Sequence, residues 1–269
     1  MRIVKILLIV VLILVGGLYG YTTVSDRMEG RDVPPVIRCE EEMLVISVST
    51  TNEELLSKVT AWDEQDGDLT ASVQVVGISK LLTEDTAKIT YVVFDSDHNV
   101  GTLTRYLQFT DYEPAKFSLS EGLIYYRNES IALLDRLSAT DVIDGDITSM
   151  VRVSALTATS QAEVYRVDVQ VTNSMGDTSR LTLPVIQLDG LSIRPKVVLK
   201  EYLIYIPQGA SFDARSYLSR VEIPDGLGRN ADVTITGLVD TSTPGTYMVS
   251  YTYPYELTSG TSILTVVVE

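Results

Sequence analysis

The feature that most constrains the fold of this chain is a repeated acidic motif. Asp-x-x-Asp-Gly-Asp-aliphatic-Thr occurs at residues 63–70 and again at 141–148. The copies lie 78 residues apart, and their register extends well past the motif: Asp95 matches Asn173, Asn99 matches Asp177, and Leu55-Leu56 matches Leu133-Leu134. A shared period of this length marks tandem copies of one supersecondary unit.

Each copy is rich in short β-type runs. In residues 33–110 these are 44–48, 59–62, 73–76, 87–94 and 102–109, with turn signals at Asp66-Gly67 and Asp97-His98-Asn99. Short strands separated by turns every ten residues or so predict an antiparallel sandwich. Residues 52–56 read as a helical turn capped by Asn52. In residues 111–188 the strands fall at 123–126, 151–155, 163–172 and 178–188, with a helical turn across 129–137. Pro184 implies an edge or a bulge. Residues 189–269 keep the plan but lose the acids. Sliding by 80 residues aligns Leu203-Ile204-Tyr205 with Leu123-Ile124-Tyr125 and puts Val221 and Pro224 where Asp141 and Asp144 stood, leaving Asp225 nearby. Tyr247, Val249, Tyr251, Tyr253 and Tyr255 share one strand face, whose beginning is predicted to pack inward. For Tyr253 and Tyr255, core or edge packing outweighs a ring-stacking glycan site.

The amino terminus reads as a targeting or anchoring element. Arg2 and Lys5 precede a charge-free run from 6 to 25, about the length that spans a bilayer as a helix. The positive-inside rule places the chain beyond residue 25 outside the cytoplasm. Residues 1–25 are therefore expected to be a transmembrane signal-anchor, in a single-pass cell-membrane protein with an extracellular C-terminal part, and 26–32 a linker. A cleaved signal peptide with its apolar region at 6–15 is the rival, and it would export the chain. The net charge of −15 is spread over the sequence and disfavours nucleic acid as a partner. Cys39 is the single cysteine, so no intrachain disulfide forms, which suits a bacterial surface better than a stapled animal one. It reads as a small apolar residue near the first strand.

The motifs resemble the bacterial immunoglobulin-like repeats first recognised beside a pesticidal crystal protein, relatives of hyalin and cadherin-like modules. Three segments carry the resemblance. They are the Pro34-Pro35 lead-in, the Val59-Thr60-Ala61 run into the acidic core, and Gly237-Leu238-Val239-Asp240-Thr241-Ser242-Thr243-Pro244-Gly245-Thr246-Tyr247 in the third copy. The resemblance implies an all-β fold of three tandem immunoglobulin-like antiparallel sandwiches at 33–110, 111–188 and 189–269. It also implies a role as a spacer or adhesion module on a bacterial surface, without a defined ligand.

In such a sandwich the loops carrying Asp63, Asp66, Asp68 and Asp95 lie at one end, with Asp97 beside them. Converging carboxylates repel one another, and a Ca²⁺ with six to eight oxygen ligands would relieve that. Asp141, Asp144 and Asp146 form the second candidate set, where Asn173 keeps an oxygen at the position of Asp95 and Met175 does not at that of Asp97. The alternative use is turn chemistry: Asx-turns, a tight Asp66-Gly67 turn, and Thr70 closing it. A hydrolase would need two acids facing across a cleft, and a lone His98 and Cys39 exclude most nucleophile–base pairs and zinc sites. His98 reads as a solvated loop residue, and Trp62 as a core filler in preference to a glycan-stacking ring. The expectation is a non-enzymatic, membrane-anchored stalk or interaction protein binding a protein or glycan in the cell envelope. The alternative is a calcium-stiffened adhesin, and an envelope hydrolase ranks third.

Overall fold

The computed structural model describes residues 2–28, 33–127, 129–189 and 194–269, with side chains described for all but 2–10 and 26–28. The chain divides into two compact units, Met1–Tyr112 and Glu113–Glu269. Helix α1 spans Arg2–Met28, so it continues past the expected boundary at 25. Of the expected linker, residues 29–32 lie outside the described residues.

The single-pass membrane placement is not carried by this helix. Among the described residues, no helix is long and apolar enough to cross a membrane. The densely apolar part, residues 6–15, gives about 15 Å of helix against a hydrocarbon core of about 30 Å. The turns after it carry Gly16, Gly17, Gly20, Thr22, Thr23 and Ser25.

The first unit holds one sandwich. Its strands are β1 (Val36–Cys39), β2 (Met43–Ile46), β3 (Val59–Asp63), β4 (Gly67–Asp68), β5 (Gln74–Ile78), β6 (Thr86–Phe94) and β7 (Val100–Phe109), with helix α2 (Asn52–Leu56) between β2 and β3. One sheet has the order β1-β3-β4 and the other β2-β7-β6-β5. Period-two alternation builds the core: Ala87, Ile89, Tyr91 and Val93 on β6 are fully buried, while the residues between them are at least partly exposed. The α2 cap is Thr51 and not the expected Asn52. Thr51 Oγ1 accepts from Glu54 N, and the Glu54 carboxylate accepts from Thr51 N, closing a capping box. The Tyr91 hydroxyl donates to Leu55 O at 3.0 Å and ties the sheet to α2. Buried Arg105 donates to that hydroxyl from Nε and Nη2. Cys39 is half-buried, and its Sγ lies 3.2 Å from Glu41 O. At the lead-in, Pro35 presses on β7: a Cβ built on Gly101 would sit 2.1 Å from Pro35 O.

The second unit holds two sandwiches. The first of these comprises β8 (Lys116–Leu119), β9 (Ile124–Tyr126), β10 (Leu137–Asp141), β11 (Gly145–Asp146), β12 (Arg152–Val153), β13 (Thr157–Ala158), β14 (Val164–Thr172) and β15 (Thr178–Leu188). Its sheets run β11-β10-β8 and β12-β14-β15-β9, with β13 also on β14. Pro184 is buried within β15 without a bulge. Ile186 N, of the same parity, points to Leu123 O on the β9 side, so the position lacking an N–H faces that side, before the pairing with β9 begins at Ile186.

The last sandwich comprises β16 (Lys196–Leu199), β17 (Leu203–Ile206), β18 (Leu218–Ile223), β19 (Gly226–Gly228), β20 (Thr234–Thr236), β21 (Gly245–Tyr255) and β22 (Thr258–Val268), in sheets β16-β18-β19 and β17-β22-β21-β20. Here the 80-residue slide slips. Ile223 pairs with Gly226 as Asp141 pairs with Gly145, so Ile223 and not Val221 stands in the place of Asp141. One extra residue is absorbed by a β-bulge opposite Val198 and Leu199, and another before Leu218. Tyr251 is fully buried, donates to Ala214 O at 2.6 Å, and burial pushes its hydroxyl up to about 12. The tyrosine stripe is deepest at its middle and not at its start, with Tyr247, Tyr253 and Tyr255 half-buried. The two sandwiches of this unit pack together through Val164, Ile186 and Ile263, a Lys116–Glu269 ion pair, and a bond from Phe117 N to the Tyr205 hydroxyl.

Candidate functional site: the acidic hairpins and the surface beside them

The β3–β4 hairpin follows from strand parity. Val59 and Ala61 face the core, so Asp63 follows them inward and is only 3% exposed. Its Oδ1 accepts from Gln65 N (2.8 Å) and Asp66 N (2.9 Å), forming an Asx-turn that Gly67 completes at φ +74°. Asp66 reaches across to the loop after β6 and accepts from Ser96 N and Ser96 Oγ at 2.5 and 2.8 Å. Asp68 accepts from Thr70 N at 2.9 Å, while Thr70 Oγ1 accepts from Ala61 N at 3.1 Å.

The second sandwich repeats every bond. Asp141 accepts from Ile143 N and Asp144 N, Asp144 from Ser174 N and Oγ, and Asp146 from Thr148 N. Thr148 Oγ1 accepts from Ala139 N. Hydrogen bonding from the Thr70 side chain and then its N–H holds the Asp68 carboxyl below its ordinary value, and Thr148 does the same for Asp146.

The copies differ at one point. Asn173 Nδ2 donates to Asp141 Oδ2 at 2.9 Å, whereas Asp95 stands in that place in the first sandwich. Asp63 Oδ2 is buried there without a partner. The oxygens of Asp95 accept from Asn99 N and Nδ2. Asp97 and His98 are exposed in the same loop, and His98 adopts φ +68° where the second copy has Gly176 at +82°. Among the described residues, no group of three or more His, Cys, Asp or Glu is arranged to hold a metal ion. In the third sandwich Ile223 and Leu227 occupy the places of Asp141 and Asp146. It has instead a local turn at Asp240, which accepts from Ser242 N, Ser242 Oγ and Thr243 Oγ1, while the Tyr247 hydroxyl donates to Thr243 O.

Trp62 is not a core filler. The parity that buries Asp63 turns Trp62 outward, and 61% of it is exposed. It borders a shallow depression of about 500 Å³ lined by Val36, Arg38, Thr60, Glu64 and Asp68 among others. The sequence signal was the β3 alternation itself. A second cavity, about 230 Å³ between the sandwiches of the second unit, is lined by Arg136, Arg194 and Tyr202, with Glu121 as its one carboxylate.

No protein-family model matches the chain. Over an alignment of 123 positions that covers 43% of the chain, it is 35% identical to the pesticidal crystal protein Cry22Aa of Bacillus thuringiensis, and spans 16% of that protein's length. Among solved structures, the chain is similar to the CBM51-2 and INT domains of Clostridium perfringens ZmpB, determined in complex with GlcNAc. The identity there is 18%, over 55% of this chain and 26% of that one, with a TM-score of 0.24. It is similar also to the EC1-3 segment of Drosophila N-cadherin, 12% identical over 87% of this chain and 89% of that one, with a TM-score of 0.28.

Proposed function

We propose that the chain is a non-enzymatic interaction module: tandem immunoglobulin-like sandwiches that present loops and strand edges to a protein or a glycan. The observation that carries this reading is the clamp from Asp66 to Ser96, repeated from Asp144 to Ser174. It spends the repeated acids on holding one loop to another. Two-carboxylate hydrolysis needs acids facing each other across a substrate at about 5–9.5 Å. The 230 Å³ cavity of the second unit offers one carboxylate, Glu121. The local similarity to a pesticidal crystal protein supports the repeat reading but covers too little of that protein to transfer its activity. The test applies the full chain to protein and glycan arrays and recovers what it captures. Saturable capture with the ligand returned unaltered is expected, and time-dependent cleavage of a captured ligand overturns the reading.

The calcium-stiffened alternative has one observation in its favour, the buried and unpartnered Asp63 Oδ2. Asp66 and Asp68 already accept N–H or O–H donors, and among the described residues the acids do not assemble a shell of six to eight oxygens. Thermal unfolding in EGTA and then in millimolar Ca²⁺ separates the two readings, since a cation bound only by the folded state must raise the midpoint.

A further inference from the structure

Trp62 occupies a position that the fold fills with polar residues elsewhere in this chain. On the outer face of the small sheet, Trp62 pairs with Val36 and Asp68. The equivalent residue in the second sandwich is Thr140, paired with Lys116 and Asp146. In the third it is Glu222, paired with Lys196 and Leu227. Two sandwiches thus finish this face with Lys–Thr and Lys–Glu, and the fold imposes no aromatic there. The first replaces both partners with apolar side chains and leaves Val36 51% and Trp62 61% exposed. The paired change concentrates apolar surface at one spot on an acidic protein.

The surroundings indicate which ligand that spot takes. The indole leans along the hairpin, its Cη2 atom 3.9 Å from where a Gly67 Cβ would lie, an ordinary contact distance that sets the ring beside the turn. Around it stand Arg38 as donor, Glu64 and Asp68 as acceptors, and the Thr60 hydroxyl as either. A flat apolar ring edged by both kinds of polar group matches a pyranose, which offers a C–H face to the aromatic and hydroxyls that donate and accept at its rim. The acids beside the ring and the net charge of −15 disfavour an anionic ligand. We propose that the Trp62 face of the first sandwich is a binding platform for a neutral pyranose unit of a glycan, stacked on the indole. This rests on the reading of the chain as a binding module.

Trp62 is the chain's one tryptophan, so its emission reports this site alone. The full chain is titrated with soluble neutral oligosaccharides of glucose, mannose, galactose, xylose and N-acetylglucosamine. Excitation is at the red edge, where tyrosine does not absorb. At least one series is expected to give a saturable change in emission, and equilibrium dialysis of the same sugar should show binding weakened at least about tenfold in Trp62→Thr and less in Trp62→Phe. Trp62→Thr installs the residue of the second sandwich, and its melting curve confirms that folding is intact. Sugar binding that survives Trp62→Thr overturns the platform while leaving the binding-module reading in place. No emission change with any series up to about 10 mM overturns the pyranose assignment. A protein partner that shields Trp62 from a soluble quencher, when no sugar does, overturns it in favour of a protein interface. Release of shorter sugars during the titration overturns the module reading itself.

Discussion

The Asn173 side-chain amide donates to Asp141 Oδ2 at 2.9 Å, and the oxygen that corresponds to it in the first sandwich, Asp63 Oδ2, is buried with no donor. One atom of difference, the amide nitrogen of Asn173 against a carboxylate oxygen of Asp95, separates a satisfied turn from an unsatisfied one. A buried acceptor left unpaired costs about 1–3 kcal/mol. Asp95→Asn should therefore stabilise the first sandwich by about 1 kcal/mol, and Asn173→Asp should destabilise the second by a similar amount or more. Denaturant unfolding followed by Trp62 emission isolates the first sandwich. An unchanged midpoint in Asp95→Asn would show that water already satisfies Asp63 Oδ2.

Gly101 has no room for a side chain. A Cβ there would meet the Pro35 carbonyl oxygen at 2.1 Å, and the same contact recurs between Gly260 and Pro195 at 2.0 Å. In the second sandwich the pair is Ser179 and Ala115, with a side chain accommodated. Gly101→Ala must displace backbone and should cost more than about 2 kcal/mol, whereas Ser179→Ala should stay within about 0.5 kcal/mol. Comparable losses for both, in urea unfolding, would show that the lead-in gives way easily.

His98 holds a left-handed conformation that Gly176 holds in the other copy. Side chains other than glycine pay about 1–2 kcal/mol there, partly offset by the greater chain entropy that glycine loses on folding. His98→Gly should raise stability by about 0.5 kcal/mol, and His98→Val should lower it by more than that. Thermal melts of the two variants beside the parent decide the matter, and a destabilised glycine variant would point to contacts of the imidazole.

Asp68 and Asp146 are held below the ordinary carboxyl value in the folded state by Thr70 and Thr148. A depressed folded value stabilises above the unfolded value, about 3.9, and that contribution disappears as pH falls through the folded one. The sandwiches should lose stability progressively below about pH 4. The double variant Asp68→Asn and Asp146→Asn should show a smaller fall in melting temperature between about pH 7 and about pH 3 than the parent. Equal falls would assign the acid sensitivity to other carboxylates, such as Asp111 or Asp240.

The repeated motif made most of the architecture readable, because turn residues and alternating runs recur at one spacing. Five of the seven strands of the first sandwich and the Asx-turn use of Asp63 follow from it, whereas the short strands β1 and β4 and the reach of Asp66 to Ser96 do not. Residue type is a poor guide where it conflicts with strand parity. In β3, Trp62 and Asp63 cannot both follow their usual preferences, and the turn that needs the Asp63 carboxylate behind it decides, sending the aromatic out. The bulge beside Leu199 was invisible because an extra unpaired residue leaves no pattern of its own, and together with the extra residue before Leu218 it carried the third alignment two positions off. The cap falls one residue before Asn52 because Thr51 and Glu54 act as a pair, a signal that the sequence does contain. For the first helix, the count of uncharged residues overstated an apolar span that glycines and hydroxyls interrupt.

In all three sandwiches a strand near the start of the module pairs in parallel with its last one: β2 with β7, β9 with β15, and β17 with β22. A pull that separates the two ends of such a module slides these partners along each other, so the rungs of the ladder share the load and do not open one at a time. Resistance to pulling is then set by the rate of shearing that seam and not by equilibrium stability. A sandwich strung between two attachments would hold as a short, stiff link until the seam yields and then lengthen abruptly.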